Sequence, residues 1–509
     1  MVSKIYSSTI LGMEGMIIEI EVDTSPGQPL FNIVGLPDAA IKESKDRVAS
    51  ALKNSGFRPP HHFGRITVNL APADVKKEGP SFDLPIAIGI LLASKQIGAI
   101  PEKSIFSGEL ALDGRLRRIK GALPVALCGK EKGFNKVFLP MSSSEEANLV
   151  TDLAVFPVQT LKQLAKHLNN ILQISPLKKE TSYFEKLTKS DFENDFSFIK
   201  GQAHVKRALE IAVAGNHNIL LSGPPGSGKT MLAKAIPSIM PPLNLNEAFE
   251  VTRIYSISGQ TSIKKPFITQ RPFRCPHHSA SAISLVGGGS VPKPGEISLA
   301  NRGVLFLDEF PEFSREVIEN LRQPLEDGSV SISRAQGSST FPAQFILVAA
   351  MNPCPCGFAT DPDRSCVCTP FQIARYKRKL SGPIMDRIDI HIEVPKLKFE
   401  KLSSNELGEK SFDIRERILS ARKHQEERFL KFKTFTNSEM SSHAIRKFCE
   451  IGEQEKKLLQ SAVRQLGLSP RGYHRLLKVA LTIADLAGDQ KLNSVHLAEA
   501  IQYRFRIED

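Results

Sequence analysis

A glycine-rich octapeptide, Gly223-Pro-Pro-Gly-Ser-Gly-Lys-Thr230, constrains the fold of this chain more than any other sequence feature. It follows an apolar run at residues 218–221 and precedes a helical pattern at residues 231–239. A strand, a glycine-rich turn and a helix in that order are the context in which such a sequence binds phosphate. The motif therefore predicts an α/β domain with a nucleotide site after one of its strands.

The residues of this loop have separate predicted roles. Glycines let backbone N–H groups turn inward around phosphate oxygens, and the following helix contributes its positive N-terminus. We expect Lys229 to bridge the β- and γ-phosphates of ATP and Thr230 to ligate Mg²⁺. A chance glycine-rich turn is the alternative, and the flanking elements argue against it. The predicted nucleotide contacts are Gly223, Pro224, Pro225, Gly226, Ser227, Gly228, Lys229 and Thr230.

Two further apolar runs end in polar residues that suit phosphate hydrolysis. Residues 304–307 lead to Asp308 and Glu309, and residues 345–350 lead towards Asn352. An acid at such a strand end can hold Mg²⁺, and its neighbour can polarise the attacking water. We assign Asp308 to Mg²⁺, Glu309 to the general base, and Asn352 to orienting the water or sensing the γ-phosphate.

The composition restricts the remaining classes of function. The 509 residues are too many for one hydrophobic core, because domains usually hold about 100–200 residues. No apolar run approaches the roughly 20 residues that span a bilayer, and the N-terminus lacks the apolar segment of a signal peptide. We therefore expect a cytoplasmic protein with no membrane partner. The net charge of +13 favours a polyanionic partner such as nucleic acid.

The order of elements predicts four segments along the chain. Residues 1–170 alternate strand-like and helical runs, and residues 171–198 have the mixed polar composition of a linker. Residues 199–395 carry strands followed by helices, which indicates an α/β core. Residues 396–509 are almost entirely helical in pattern, and we assign them to a lid domain.

Four of the seven cysteines lie close together in the sequence, between residues 354 and 368. An odd total with a local cluster indicates a reducing compartment and a local metal or thiol site, not a disulfide framework. Four thiolates suit a tetrahedral Zn²⁺ ion, although the C-x-C spacing is tighter than the usual one. Reduced free thiols are the alternative to this structural zinc site. Its predicted ligands are Cys354, Cys356, Cys366 and Cys368.

An ordered set of motifs runs through the chain around these sites. The motifs are Gly201-Gln202, the phosphate loop, Arg274-Cys-Pro-His-His278, Gly287-Gly-Gly289, Pro292-Lys-Pro-Gly-Glu296, Val304-Leu-Phe-Leu-Asp-Glu-Phe310, Asn352-Pro-Cys-Pro-Cys-Gly357, Ser381-Gly-Pro383 and Tyr473-His-Arg475. In this order the set resembles the ComM/YifB family, often described as magnesium-chelatase-like, over essentially the whole chain. The resemblance implies an AAA+ core of the magnesium-chelatase/MCM branch, a hexameric ring and a location in the bacterial cytosol. It also implies branch migration of recombination intermediates during natural transformation.

The resemblance to AAA+ proteins implies roles for residues outside the phosphate loop. Arg387 resembles the arginine finger that one subunit offers to its neighbour's nucleotide. Arg471 resembles the second sensor of the helical lid, with Arg475 as the fallback. A surface salt bridge is the alternative for Arg387 and for Arg471, because exposed arginine pairs are common. His277 and His278 lack a metal-ligand set at clear spacing, so we expect a packing or inter-subunit role for them.

Two segments resemble loops that face the central pore in related rings. Residues 284–300 resemble the loop that this branch inserts into its second core helix. Residues 330–342 are typical of a β-hairpin placed just before the strand that leads to Asn352. Arg334 on the hairpin and Lys293 on the inserted loop are predicted to bind DNA phosphates. Packing of both loops against neighbouring subunits is the alternative.

Residues 66–140 resemble the proteolytic domain of Lon, a fold shared with RadA. Ser81 lies in the segment where Lon carries its nucleophile, but Leu123 aligns with Lon's catalytic lysine, and Lys120 is three residues away. A Ser–Lys dyad needs an amine to accept the hydroxyl proton, which leucine cannot do. We therefore expect an inactive protease-like domain that serves oligomerisation or DNA contact, with a working peptidase as the alternative.

Three functions compete at this point. The first is a Mg²⁺-dependent hexameric ATPase that moves or unwinds branched DNA, which the basic charge, the predicted hairpin and the family resemblance favour. The second is a protein-remodelling ATPase of the magnesium-chelatase type that acts on a partner protein. The third is a non-enzymatic scaffold, which the complete nucleotide constellation opposes. Stimulation of ATP turnover by DNA distinguishes the first function from the other two.

Overall fold

The computed structural model describes residues 2–179, 194–289, 292–334, 337–397, 407–432 and 434–504. The chain divides into two compact units: Met1–Lys186 with Leu245–Ile268, and Leu187–Asn244 with Thr269–Asp509. Within the described ranges, no helix is both long enough and apolar enough to cross a membrane. Most of the predicted linker, residues 180–193, lies outside the described part of the chain.

The first unit is built on a seven-stranded mixed sheet in the order β3-β4-β2-β1-β5-β8-β9. A long antiparallel hairpin of β1 and β2 forms its centre, and β5, β8 and β9 extend it in parallel. The strands are β1 (Val2–Leu11), β2 (Glu14–Ser25), β3 (Leu30–Val34), β4 (Arg65–Ala71), β5 (Ser104–Phe106), β6 (Glu109–Leu110), β7 (Leu116–Arg117), β8 (Lys136–Pro140) and β9 (Ala154–Val158). The helices are α1 (Ala39–Asn54), α2 (Asp83–Ala93), α3 (Ala122–Glu131), α4 (Met141–Ala147) and α5 (Leu161–Leu168).

Local sequence explains the two helices that pack on this hairpin and beside it. Asp38 caps α1, because its side chain accepts a hydrogen bond from Ile41 N at 2.8 Å. Helix α2 is apolar on every side, and nearly all of its residues are buried. A helix without a polar face must be covered all round, and α2 contacts both β1 and β2.

The second unit contains a five-stranded parallel sheet in the order β11-β14-β17-β10-β18. Strand β10 lies between two strands that follow it in sequence, so the strand order reverses there. Ligands of open α/β sheets bind at the carboxyl ends of strands at such a reversal. The strands of this unit are β10 (Ile219–Ser222), β11 (Phe273–Arg274), β12 (Gly287–Gly288), β13 (Lys293–Pro294), β14 (Val304–Leu307), β15 (Ser329–Arg334), β16 (Gly337–Pro342), β17 (Ile346–Met351) and β18 (Ile390–Glu393).

The predicted α/β class with a helical C-terminal part is confirmed. Helices α15 and α18 pack on α6 beside the parallel sheet, so the described C-terminal residues share one core with the strands. The helices of the second half of the chain are α6 (Ala203–Gly215), α7 (Lys229–Ile239), α8 (Leu245–Ser258), α9 (Ala282–Val286), α10 (Glu296–Leu299), α11 (Arg315–Asn320), α12 (Arg322–Asp327), α13 (Pro370–Lys377), α14 (Gly382–Met385), α15 (Ser411–Phe429), α16 (Ser442–Phe448), α17 (Glu453–Leu466), α18 (Pro470–Ala487) and α19 (Ser494–Gln502).

One segment packs differently from the sequence expectation. Residues 199–395 were expected to form one core, whereas α8 and the residues up to Ile268 belong to the first unit. The buried carboxylate of Glu146 holds this segment, since it accepts hydrogen bonds from the hydroxyls of Ser256 and Thr261. Local periodicity contains no signal for such a contact, because its partners lie more than a hundred residues apart.

Candidate functional site

The glycine-rich loop joins β10 to α7 at the carboxyl edge of the parallel sheet. Gly226 and Gly228 adopt φ angles of +77° and +89°, a region that residues with a Cβ rarely enter. Gly223 is needed for space, because a Cβ there would lie 2.2 Å from the carbonyl oxygen of Val394. The loop therefore has the backbone path that the phosphate-binding prediction requires.

Lys229, the first residue of α7, is almost fully buried, with 8% of its surface exposed. Its Nζ donates to the carbonyl oxygens of Gly223 at 2.7 Å and Pro224 at 2.9 Å. A third contact, to Oδ1 of Asn352, measures 3.3 Å. Burial lowers the pKa of Lys229, and the charge of Asp308 opposes that shift. All three acceptors are neutral, so phosphate oxygens would offer this ammonium stronger, charge-assisted hydrogen bonds.

Thr230 and Asp308 form the pair predicted to hold Mg²⁺. Thr230 Oγ1 donates to Asp308 Oδ2 at 2.8 Å, and Asp308 Oδ1 accepts from the backbone N–H of Glu309 at 2.9 Å. Mg²⁺ in nucleotide sites uses one or two protein oxygens together with waters and substrate phosphates. A hydroxyl and a carboxylate oriented towards each other fit that requirement.

Glu309 lies directly after β14 and Asp308, in the left-handed backbone region, with a φ of +52°. Such a conformation costs a residue other than glycine about 1–3 kcal/mol and is concentrated at functional sites. Its side chain is half exposed, and Oε2 lies 3.0 Å from Nδ1 of His278. The carboxylate is therefore accessible to water at the same edge as the phosphate loop.

His278 is a residue of this site that sequence analysis missed. A packing or inter-subunit role was expected for the histidine pair, whereas His278 contacts Glu309 and packs against His277, with ring centres 4.2 Å apart and ring planes tilted by 33°. The sheet order explains the contact, because β11 and β14 are parallel neighbours and the residues that follow them reach the same edge. The imidazole therefore restrains the carboxylate that was assigned as the general base.

Asn352 follows β17, the strand between β14 and β10. Its amide oxygen accepts the hydrogen bond from Lys229 described above. Tyr376 of α13 lies beside it: burial raises the pKa of Tyr376 to about 12, and a hydrogen bond with the backbone of Asn352 opposes that shift. Asn352 is thus held between the phosphate loop and a neutral phenol.

Gln202 is a second residue to which sequence analysis gave no individual role. It is buried, has a φ of +53°, and its amide nitrogen donates to Ser227 O at 2.8 Å and to Pro395 O at 3.1 Å. The side chain thereby ties the phosphate loop to the segments before α6 and after β18. The available signal was the Gly201-Gln202 pair among the ordered motifs.

Arg387 and Arg471 meet at one carboxylate, that of Glu326 in α12. Nη2 of Arg387 forms an ion pair with Oε2 of Glu326, and Nη2 of Arg471 lies 3.2 Å from Oε1. Arg387 is nearly buried and also donates to Pro383 O at 2.7 Å, whereas Arg471 is largely exposed. Within one chain both arginines are therefore in ion pairs with Glu326. The predicted finger role of Arg387 and the predicted second-sensor role of Arg471 would each require that arginine to leave Glu326.

Arg475, the fallback for the second sensor, contacts a different acid. Its Nη1 lies 2.5 Å from Oδ1 of Asp389 and donates to Arg387 O at 3.1 Å. Burial alone would raise the pKa of Asp389, but the charge of Arg475 and the hydrogen bond with His217 outweigh it and hold that pKa well below its usual range. Arg475 is thus occupied by a buried carboxylate, which leaves Arg471 as the accessible candidate.

The four clustered cysteines come together in the connection between β17 and α13. Their sulfur atoms all lie within 4.8 Å of one another. Cys354 is buried, and the other three are half buried. Such a set of thiols could hold a metal ion, as the sequence predicted.

Both segments predicted to be pore loops form β-hairpins, with β12 paired to β13 and β15 paired to β16. They adjoin each other, because a Cβ on Gly287 would lie 2.9 Å from Cδ1 of Ile332. Lys293 is exposed on the first hairpin. Arg334 ends β15, and its side chain lies outside the described part of the structure.

The protease-like positions belong to the first unit. Leu123, which aligns with Lon's catalytic lysine, is fully buried in α3, and its backbone N–H donates to Oε1 of Glu146 at 2.9 Å. Lys120 packs against Gly259, where a Cβ would lie 2.8 Å from Cε of the lysine. The position that aligns with Lon's catalytic lysine, Leu123, is therefore a packing position in this unit.

Comparison with known families covers most of the chain. The family "Magnesium chelatase, subunit ChlI" matches residues 195–402. "Subunit ChlI of Mg-chelatase" matches residues 20–143, and "Magnesium chelatase, subunit ChlI C-terminal" matches residues 408–504. These matches include both units and the helical C-terminal part.

Two relatives are similar over nearly the full length, and a third is similar over about a third of the chain. The competence protein ComM of Haemophilus influenzae is 46% identical over 503 residues, which are 98% of this chain and 97% of ComM. YifB of Escherichia coli is 42% identical over 506 residues, which are 99% of this chain and 97% of YifB. Lon protease 2 of Bacillus subtilis is 24% identical over 188 residues, which are 34% of this chain and 33% of that protease.

Proposed function

Because this chain belongs to the ComM/YifB family of magnesium-chelatase-like AAA+ proteins, we propose that it is a Mg²⁺-dependent ATPase that acts as a hexameric motor on DNA. One observation carries the ATPase part of the proposal: five side chains that follow three neighbouring strands, β14, β17 and β10, lie at one edge of the parallel sheet. These side chains are Lys229, Thr230, Asp308, Glu309 and Asn352.

Each of these side chains has a separate role in the proposed hydrolysis. Lys229 exchanges its carbonyl acceptors for the β- and γ-phosphates and neutralises their charge. Thr230 and Asp308 would hold Mg²⁺, which would supply charge neutralisation on the phosphate oxygens. Glu309 accepts the proton of the attacking water, and the Asn352 amide orients that water.

The proposal of a ring rests on Arg387 and Arg471, which both contact Glu326 within one chain. Nucleotide hydrolysis in trans needs a cation that one subunit presents to the next. Arg387 would supply that cation only after leaving Glu326, the carboxylate that it shares with the exposed Arg471. We infer that assembly, not folding of a single chain, completes the hydrolytic site.

Three observations support DNA as the substrate of the motor. The net charge of +13 favours a polyanion. Two adjoining hairpins carry Lys293 and Arg334, which are suited to phosphate contacts in a pore. A relative similar over 98% of this chain is named a competence protein. We therefore propose branch migration or unwinding of recombination intermediates in the bacterial cytosol during natural transformation.

A protein-remodelling ring is the second candidate. The matches to the magnesium chelatase family favour it, because they cover residues 195–402 and 408–504. In this case the hairpins would contact a partner polypeptide, and ATP turnover would not respond to DNA.

We also propose that the four-cysteine cluster binds Zn²⁺. Four sulfur ligands within 4.8 Å of one another match a closed structural site of the Cys₄ type. Reduced free thiols are the competing state, and metal analysis of the purified protein separates the two.

The experiment that tests the motor measures ATP hydrolysis and junction movement in the same tubes. The protein is given no DNA, single-stranded DNA, duplex DNA or a four-way junction. Hydrolysis stimulated by the junction, with separation of its strands, supports the DNA motor, and Glu309→Gln should lose both. Robust hydrolysis that is equal under all four conditions, with an intact junction, rejects the DNA motor in favour of protein remodelling.

A further inference from the structure

The connection between β17 and α13, residues 352–369, is long and contains no helix or strand. Unstructured loops above about 12–15 residues are uncommon in compact domains and are usually functional or held by another constraint. Asn352 opens this connection, and the four cysteines follow it. The segment that carries a predicted catalytic amide is therefore the same segment that carries the cluster of thiols.

The sulfur atoms have the spacing of a tetrahedral metal site. Cys354 Sγ lies 3.3 Å from Cys356 Sγ and 3.6 Å from Cys366 Sγ, and Cys356 Sγ lies 3.6 Å from Cys366 Sγ. Ligands at the Zn–S distance of about 2.3 Å in a tetrahedron are separated by about 3.8 Å. These three sulfurs thus need only a small outward adjustment to hold a metal ion, and Cys368 Sγ lies within 4.8 Å of each of them.

Backbone N–H groups point at two of these sulfurs. The N–H of Cys356 donates to Cys368 Sγ, and the N–H of Cys368 donates to Cys366 Sγ, both at 3.4 Å. Such outer contacts orient metal ligands and stabilise their charged form. All four cysteines are unpaired by disulfides, so each can act as a ligand.

The connection that carries the four cysteines also packs against the phosphate loop, through Gly357 and Pro225. Gly357 lies so close to Pro225 that an added Cβ would be 2.7 Å from both Cδ and Cγ of the proline and 3.8 Å from Cγ of Asn352. Gly357 has a φ of +86° and donates its N–H to Cys354 O at 3.0 Å. Its position is therefore determined by the turn that contains the first two cysteines.

We propose that a metal ion held by the four cysteines determines the shape of the ATP site. The metal fixes the conformation of the cysteine loop, and this loop places Gly357 against Pro225 and Asn352 within hydrogen-bond distance of Lys229. The proposal rests on the nucleotide site and the zinc site of the preceding section. It makes nucleotide affinity depend on a metal that contacts neither ATP nor Mg²⁺. The thiolate ligands distinguish this metal, a soft or borderline ion such as Zn²⁺, from the hard cation at Thr230 and Asp308.

The first test compares metal content and nucleotide affinity in the full-length protein. Elemental analysis should find about one zinc per chain in the wild type and in the control Val367→Ala, whose side chain is 83% exposed within the same loop. Cys366→Ser should lose the metal and bind a fluorescent ATP analogue about tenfold more weakly, as expected for about 1.4 kcal/mol. Wild-type protein without zinc overturns the proposal, and so does a zinc-free Cys366→Ser that binds the analogue normally.

Because a cysteine variant can fail to fold, Gly357→Ala tests the contact alone. This variant keeps all four ligands and should retain about one zinc per chain. The added methyl group collides with Pro225 and strains a positive φ, so the affinity for the ATP analogue should fall several-fold. Wild-type affinity in zinc-loaded Gly357→Ala overturns the coupling.

A third variant in the same titration separates this proposal from the proposed function. Lys229→Met shows whether the analogue binds at the phosphate loop at all, and a junction assay on the wild type reports DNA-dependent turnover. Metal-dependent affinity without DNA stimulation supports the coupling and rejects the DNA motor. DNA-stimulated turnover with metal-independent affinity rejects the coupling and leaves the motor standing.

Discussion

Replacement of Lys229 by methionine isolates the contribution of one buried ammonium to ATP binding. Methionine keeps an unbranched side chain of similar length, so the helix and the loop keep their packing. The wild-type Nζ is already hydrogen-bonded to Gly223 O and Pro224 O, at 2.7 and 2.9 Å. ATP must displace these contacts, so only the difference between phosphate and carbonyl acceptors contributes to affinity.

That difference gives the expected loss of ATP-binding free energy in Lys229→Met. Two charge-assisted hydrogen bonds to phosphate contribute about 1.5–3 kcal/mol each, and the two neutral bonds that they replace contribute about 1 kcal/mol each. The net contribution is about 1–4 kcal/mol, centred near 2.5 kcal/mol, which corresponds to a Kd raised about 70-fold. Equilibrium titration of a fluorescent ATP analogue in Mg²⁺ buffer measures it.

The matched control for this variant is Lys234→Met. Lys234 lies on the same helix, α7, and its side chain is exposed. Its replacement removes the same charge without touching the loop, so the Kd should change by less than about twofold. A Lys229→Met protein that unfolds at the wild-type temperature and binds the analogue within about threefold of wild type would refute the assignment of Lys229.

Three further predictions address other parts of the molecule. Glu309→Gln should bind ATP with near wild-type affinity but hydrolyse it about 10²- to 10⁴-fold more slowly, as loss of a general base implies; a normal single-turnover rate contradicts that role. Asp485→Ala should lower the free energy of unfolding of the second unit by about 3–5 kcal/mol in urea, because it removes the carboxylate partner of the nearly buried Arg428. The control is Lys456→Ala, which removes the exposed Glu453–Lys456 ion pair and should leave the urea midpoint of unfolding unchanged. Equal urea midpoints for Asp485→Ala and Lys456→Ala would reject the role of the buried ion pair. Lys293→Ala should reduce the magnitude of the slope of log K for DNA binding against log salt concentration by about one, which corresponds to one lost phosphate contact, and should not change ATP affinity. An unchanged slope would show that Lys293 does not contact DNA phosphates.

Much of the fold was predictable from sequence because its signals are local. The apolar run before the phosphate loop, the helical run after it and the run at residues 304–307 correspond to β10, α7 and β14. Alternation and helical periodicity report which face of an element is buried, and both act over only a few residues. The family was also recognisable, since its motifs occur in a fixed order along the chain.

Contacts between distant segments were not predictable in the same way. In the first unit, α8 and the residues up to Ile268 donate hydrogen bonds to Glu146, which no local pattern links to Ser256 or Thr261. The contact of His278 with Glu309 depends on the order of strands in the sheet, in which β11 lies next to β14. Both follow from packing between segments that are far apart in sequence.

The sequence by itself predicted which chemical groups this protein would bring to a nucleotide: the glycine loop, Lys229, the Asp308–Glu309 pair and Asn352. Tertiary structure alone decided what each group touches. Glu326 binds both Arg387 and Arg471, and Gly357 abuts Pro225, because the sheet order and the turn of the cysteine loop bring them within contact distance. The physical reason is that spacing along a chain specifies covalent neighbours, whereas contact across a fold depends on the summed packing of the whole domain.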